Sequence, residues 1–399
     1  MFMILDVPTP SVLQVVWFCL IAVLWIGFFF LEGFDFGVSM LYQVLSRKQP
    51  EERRVMVNAI GPTWDSNEVW LLTAGGATFA AFPGWYATLF SGLYLPLFLV
   101  LMGLIIRGIS FEYRALRPTT RWKNTFDWCA SIGSFVVALV LGVGFANFVI
   151  GLPTVAGPHG EPLLPTAFGP DWLFPQLFVR DGSPYPLLGG VMLVVLFVSH
   201  GAQFLNLKTE GTVLTKVQRF APLAAAAAAV LVTAYVVWGN LAYPSGGNPY
   251  LDGVSLAQVA RWVSGGLAIV CVLLAAVLLK AKPGVAFACS GLGVATLFIN
   301  AFVTIFGTLG FMQPTDGGPA LNIVTASSSP LTLKLMTIFA GVLVPIVLGY
   351  VIWSYRVFRK RLSVENLPPE ENAVTGVPSD DDTTPEPEPV VAAESAVVA

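Results

Sequence analysis

Apolar runs of membrane-spanning length recur along the chain and set its architecture. They predict helices at about 12–42, 63–82, 85–110, 126–150, 187–206, 220–240, 259–280, 284–311 and 333–356. The predicted class is all-α, a polytopic membrane protein with nine transmembrane helices. Charge in the connections orients it. With the N-terminus outside and the C-terminus cytoplasmic, 17 of the 21 basic residues fall on the inner side, and only Arg180, Arg261 and Lys334 fall outside. Arg107 lies within the third helix.

The outer connections read as turn-rich loops: about 151–186, then AYPSGGNPYLDG, then about 312–332 with QPTDGGP and SSSP. Residues 1–362 form the nine-helix domain. Residues 363–399 become rich in Pro, Glu and Asp, cannot bury enough apolar surface to fold, and are expected to be a disordered acidic cytoplasmic tail. The run Ala224–Ala229 offers a small-residue face for close helix packing. No repeat of 20–50 residues is visible.

Composition supports a bilayer, not a single soluble core, as the place where apolar surface is buried. The chain is 55% hydrophobic and 11% charged, with mean hydropathy +0.74. The net charge of −3 is the sum of two unlike parts. Nine acids lie beyond Arg361 with no basic residue among them, so the body alone carries +6. No nucleic-acid partner is expected. Asp6 stands where a signal peptide would carry positive charge, so no cleaved leader is expected. Cys19, Cys129, Cys271 and Cys289 fall in apolar segments with no C-x-x-C pair and read as small buried hydrophobes. No metal site and no catalytic residue is expected, and no Walker A, Rossmann or H-E-x-x-H motif occurs.

The chemistry that remains is carboxylate chemistry inside the membrane. The first helix holds FFFLEGFDFGVSM, with Glu32 and Asp35 on one face. The second opens with TWDSNEVW, where Asp65 and Glu68 repeat that spacing. The third carries Arg107 near its inner end, with Glu112 following. These groups reach similar depth on the cytoplasmic side. An isolated charge there costs at least a few kcal/mol, and Arg107 can neutralise one carboxylate but not four. Two readings follow: a cytoplasmic proton entry, or a polar clamp joining three helices. Asp65 also has a local role open to it, as a cap or first-turn acid after Gly61 and Pro62. Asp127 reads as a first-turn acid of the fourth helix. His200 is a candidate haem ligand, though a single histidine at a membrane edge is more often hydrogen-bonded structure. His159 lies in a loop. Two histidines cannot serve a multi-haem centre.

Four segments carry a family resemblance: GFDFGV (33–38), NAIGPTWDSNEVWLLTAGGATFAAFP (58–83), FSGLYLPLFLVLMGLIIRGISFEYR (90–114) and RWKNTFDWCASIGSF (121–135). Together they resemble subunit II of cytochrome bd-type quinol oxidases, and LTLKLMTIFAGVLVPIVLGY (331–350) returns to the pattern. The resemblance implies a haem-free subunit with nine helices. Its partners would be a haem-bearing subunit I, a small single-helix subunit, quinol and membrane lipid. It implies that the complex oxidises quinol and reduces dioxygen to water with cytoplasmic protons. It gives the chain itself no bound cofactor, while admitting a structural quinone that no residue here marks. It implies a proton pathway through Asp65, with Glu68 and Asp35 in support, and the spacing on the first helix adds Glu32 to that expected path. Glu68 ranks below Asp65 because some members carry Gln there. Arg107 and Asp35 are expected to form a structural ion pair, and Trp64, Asn67 and Trp70 to form a helix-two motif beside it. The alternatives are a stand-alone proton-coupled transporter and an inert scaffold.

Overall fold

The computed structural model describes residues 9–164, 175–180, 182–243, 254–308, 310–314 and 321–367. The helices are α1 (Val12–Leu45), α2 (Pro50–Ile60), α3 (Trp64–Ala81), α4 (Pro83–Gly92), α5 (Tyr94–Tyr113), α6 (Thr120–Ile150), α7 (Pro175–Phe178), α8 (Tyr185–Lys208), α9 (Gly211–Ala242), α10 (Val254–Leu278), α11 (Pro283–Gly307) and α12 (Pro330–Val357). Among the described residues eight helices are long and apolar enough to cross a membrane: α1, α5, α6 and α8–α12. The ninth expected span, α3, has 18 residues, and its first turns are polar through Asp65, Asn67 and Glu68.

The third expected helix, 85–110, is in fact two. α4 ends at Gly92 and α5 begins at Tyr94, with Leu93 between them. α6 and α9 begin earlier than their apolar runs. Each is preceded by polar helical turns, TRWKNT and GTVLTKVQR, which a hydropathy reading assigns to loops.

α1 is the central strut. It packs on α3, α6, α8 and α11, and Phe28, Phe29 and Phe36 on it are fully buried. It crosses α8 with backbones nearly touching. A Cβ on Gly37 would lie 1.9 Å from the Phe197 carbonyl oxygen, and one on Gly201 would lie 2.5 Å from Gly37 C. Glycine is required there by space, not by backbone angle.

One small sheet joins two connections of the otherwise all-α architecture. β1 (Leu152–Ala156) pairs antiparallel with β2 (Pro162–Leu163) and parallel with β3 (Met312–Pro314). It ties the connection after α6 to the one after α11. The loop between α9 and α10 lies largely outside the described residues, as does the acidic tail from 368 onward. Packed chain continues past 362: Leu362 pairs with Thr209, and Leu362, Val364 and Leu367 pack against the apolar cluster around α2.

Arg261, expected on the outer side, is fully buried. Its guanidinium donates to the carbonyls of Tyr243 (2.8 Å) and Gly239 (3.0 Å) at the end of α9, where the helix dipole favours a cation. Cys19 is exposed on the α1 surface; of the other cysteines only Cys271 is buried.

α2 is held by Glu52, which accepts from Ser46 Oγ (2.6 Å) and from Lys216 Nζ on α9. Burial by itself would push the Glu52 carboxyl up, but the hydrogen bonds from Lys216 and Ser46 outweigh it and hold the group below its ordinary value of 4.5. A depressed carboxylate contributes stability above its unfolded value and loses it as pH falls through the folded one. Acidification below the usual glutamate range should therefore loosen α2. Amide exchange in α2, corrected for intrinsic rates, should be higher below the usual glutamate range than at pH 7, and Lys216→Met should abolish most of the difference.

Candidate functional site

Arg107 organises the polar residues. Its side chain is fully buried, and Nη1 lies 2.5 Å from Glu32 Oε1 on α1 and 3.5 Å from Glu68 Oε2 on α3. Its guanidinium carbon also lies over three rings: Phe36 at 4.9 Å, Phe111 at 5.1 Å and Trp64 at 5.8 Å. Trp64 is held in place by stacking on Phe111, with centroids 4.9 Å apart. This aromatic enclosure favours a cation through the ring quadrupoles and keeps the pair dry. The α5–α6 contact seals the back: a Cβ on Gly133 would lie 2.5 Å from the Gly103 carbonyl and 3.3 Å from Arg107 Cβ.

The expected Arg107–Asp35 pair is corrected to Arg107–Glu32. Residues three apart on α1 share a face but differ by about 4.5 Å in height, and the guanidinium meets the level of Glu32. At the level of Asp35 stands Asn67, whose Nδ2 donates to Asp35 Oδ2 at 2.7 Å. Asn67 Oδ1 in turn accepts from the Tyr355 hydroxyl of α12 at 2.9 Å. Glu32 and Asp35 are both fully buried.

Burial is graded along α3. Asp65, in the first turn of α3, is exposed; the Glu68 side chain keeps 25% of its surface; Asn67 is buried. The helix begins at Trp64, not Pro62, so Asp65 is a first-turn acid and not the cap. Glu68 is one turn deeper and touches the arginine, which makes it the link between the exposed acid and the buried pair. Trp70 lies on α1 where Gly27 leaves room; a Cβ there would come within 2.4 Å of the indole. The helix-two motif thus divides its labour: Trp64 encloses Arg107, Asn67 holds Asp35, and Trp70 seats α3 on α1.

The polar face of α1 continues past Asp35. Ser39 Oγ and Tyr42 Oη on α1, Ser134 Oγ on α6 and Asp35 Oδ1 are buried without a protein hydrogen-bond partner. Buried polar atoms of this kind are ordinarily satisfied by water.

Farther along, Asp127 is not a first-turn acid. It lies two turns into α6, buried, accepting from Arg114 Nε at 2.7 Å and pairing with Arg53 Nη1 at 3.2 Å. Sequence spacing offers no signal for this link between α2, α6 and the turn after α5. His200 is also resolved. Nε2 lies 3.0 Å from the Phe30 carbonyl and so carries the hydrogen, which leaves Nδ1 to accept from Ser290 Oγ at 2.9 Å. Both ring nitrogens are committed, and no position remains for an axial bond.

Comparison with known proteins gives consistent matches. Residues 13–358 match the family model described as cytochrome bd terminal oxidase subunit II. The chain is 38% identical over 348 residues to cytochrome bd ubiquinol oxidase subunit 2 of Bacillus subtilis, covering 87% of this chain and 96% of that one. It is 35% identical over 382 residues to cytochrome bd-I ubiquinol oxidase subunit 2 of Escherichia coli K12, covering 90% and 97%. Among solved structures, a chain of the bd oxidase from Geobacillus thermodenitrificans superposes with TM-score 0.64 at 15% identity, covering 87% of this chain and 99% of that one, which speaks to the fold.

Proposed function

The chain belongs to the cytochrome bd terminal oxidase subunit II family, and from that premise we propose that it conveys cytoplasmic protons toward the haem-bearing subunit of a quinol:dioxygen oxidoreductase. It is a multi-pass protein of the bacterial cytoplasmic membrane and a component of an oxidase complex with a partner subunit I. In the proposed reading the complex oxidises quinol and reduces dioxygen to water, the haems reside in the partner, and this chain alone performs no redox step. A small single-helix subunit, lipid and a structural quinone belong to the same reading.

The observation that carries proton delivery is the graded run of carboxylates: Asp65 exposed, Glu68 partly buried, Glu32 and Asp35 fully buried. A buried acid is expensive in hydrocarbon and is retained where it serves a proton path or a structural pair. Among the described residues only Glu32 and Glu68 lie within salt-bridge distance of Arg107. Asp35 has an amide and no cation within salt-bridge distance among the described residues. An Asp–Asn contact does little clamping that an Asn–Asn contact would not, so the second acid on α1 is explained by proton transfer better than by structure. The positive-inside count puts the start of α3 at the cytoplasmic face. Family membership leaves the transporter alternative without an observation in its favour.

Asp65→Asn in the intact complex is the direct test. Among the described residues Asp65 has no side-chain hydrogen bond or ion pair that its amide would break, so haem absorbance should stay normal while oxygen consumption falls at least tenfold. Normal turnover with normal haems would remove Asp65 from the path.

A further inference from the structure

Tyr355 stands 288 positions from Asn67 in sequence, yet its hydroxyl donates to the amide that holds Asp35 of α1. The chain of contacts has a readable direction. The Asn67 atom on Asp35 Oδ2, at 2.7 Å, donates to a carboxylate oxygen and is therefore the amide nitrogen. The other amide atom is then the carbonyl oxygen, which can only accept, so the phenol must donate to it. If the amide turned over, its oxygen would face Asp35 Oδ2, where two acceptors repel, and its nitrogen would face the phenol, which would have to turn from donor to acceptor. Asp35 and Tyr355 together therefore favour one amide orientation.

That selection reaches Asp35. With Oδ2 occupied by the Asn67 donor, the atom left without a protein partner is the buried Oδ1. We propose that Tyr355 is a positioning residue for Asp35: by donating to Asn67 it keeps the amide nitrogen on Asp35 Oδ2 and confines any proton on Asp35 to Oδ1. This role rests on the proton-delivery reading for its consequence in turnover, but not for its geometry. It also gives α12 a function beyond its exposed surface. None of that helix's most apolar stretch is buried, and Tyr355 and Ser354 reach inward near its end, as Leu333 does near its start.

The test uses the intact complex and infrared difference spectroscopy. The Asp35 carboxyl band is identified by its disappearance in Asp35→Asn. In Tyr355→Phe, which keeps the ring, that band should shift, and oxygen consumption should fall about fivefold, the effect of losing one ordinary hydrogen bond, with the KM for quinol unchanged. Asn67→Leu should move the same band and serves as the second variant if Tyr355→Phe fails to assemble. An unmoved band in either assembled variant overturns the proposal. A shifted band with undiminished turnover, in a complex where Asp35→Asn also turns over normally, would uphold the positioning while overturning proton delivery through Asp35.

Discussion

Arg107→Leu should abolish recovery of the assembled complex, read as haem absorbance per membrane protein. The arginine is fully buried and pairs with Glu32, which is fully buried as well. Removing one partner of a buried pair costs about 3–5 kcal/mol, because the remaining charge has neither water nor counter-ion. That is a large share of the stability of an ordinary domain. Glu68 should suffer less, since a quarter of its side chain remains accessible and it can turn outward. Arg107→Lys should give an intermediate result, because an ammonium reaches one acceptor well but lacks the planar face that lies over Phe36, Phe111 and Trp64.

The informative variant is the double one. Arg107→Leu with Glu32→Leu removes both buried charges, and such exchanges for apolar groups are often neutral or stabilising. The double variant should recover assembly while oxygen consumption stays low, because the carboxylate between Glu68 and Asp35 is missing. If turnover returned along with assembly, Glu32 would be a clamp and nothing more.

Gly37→Ala should be about as damaging as Arg107→Leu, though it adds only a methyl group. The new Cβ would fall 1.9 Å from the Phe197 carbonyl oxygen, 2.7 Å from its carbon and 2.9 Å from the Gly201 nitrogen. All three are backbone atoms of α8, so no side chain can swing aside. Ordinary overpacking costs about 1–3 kcal/mol; here α1 or α8 must move as a whole, and the cost lies above that range. The displacement would also carry Asp35, two residues away, off Asn67. The expected outcome is loss of assembled complex, and any residual complex should show reduced turnover. Gly144→Ala on α6 and Gly76→Ala on α3 are the controls, since a Cβ at either position meets nothing within 4 Å. Both should assemble normally. A normal Gly37→Ala complex would mean that the α1–α8 crossing is wider in the assembled oxidase.

Much of this site was readable in the chain. Glu32 with Asp35, and Asp65 with Glu68, stand three apart in helical runs, so each pair shares a face whatever the tertiary fold. Charge in the connections brought both pairs and Arg107 to one depth. Depth inferred from span lengths, however, is uncertain by several residues, more than the single turn separating Glu32 from Asp35. The partner of Arg107 was therefore beyond reach of spacing. Glu68 ranks below Asp65 on the family resemblance alone; that Glu68 touches Arg107 while Asp65 is exposed is beyond what spacing can tell. Asp127 reads as a first-turn acid because the polar turns TRWKNT before it have the composition of a loop, and the burial of Arg261 leaves no mark in its local composition. Tyr355 carried no local signal at all, being one aromatic among many near a helix end.

The chain by itself determined what hydrophobic length, charge asymmetry and short-range periodicity can determine. These are a helical membrane body, its orientation as an expectation, and a set of acids too costly to be incidental. Each depends on residues close in sequence, where helix geometry fixes the relation between neighbours. The tertiary structure decided which groups touch: Arg107 with Glu32, Asn67 with Asp35, Tyr355 with Asn67. Those contacts join helices separated by up to 288 positions, and they depend on how closely backbones approach at places such as Gly37 and Gly201. A difference of one turn or one ångström there changes the partner, and only packing sets it.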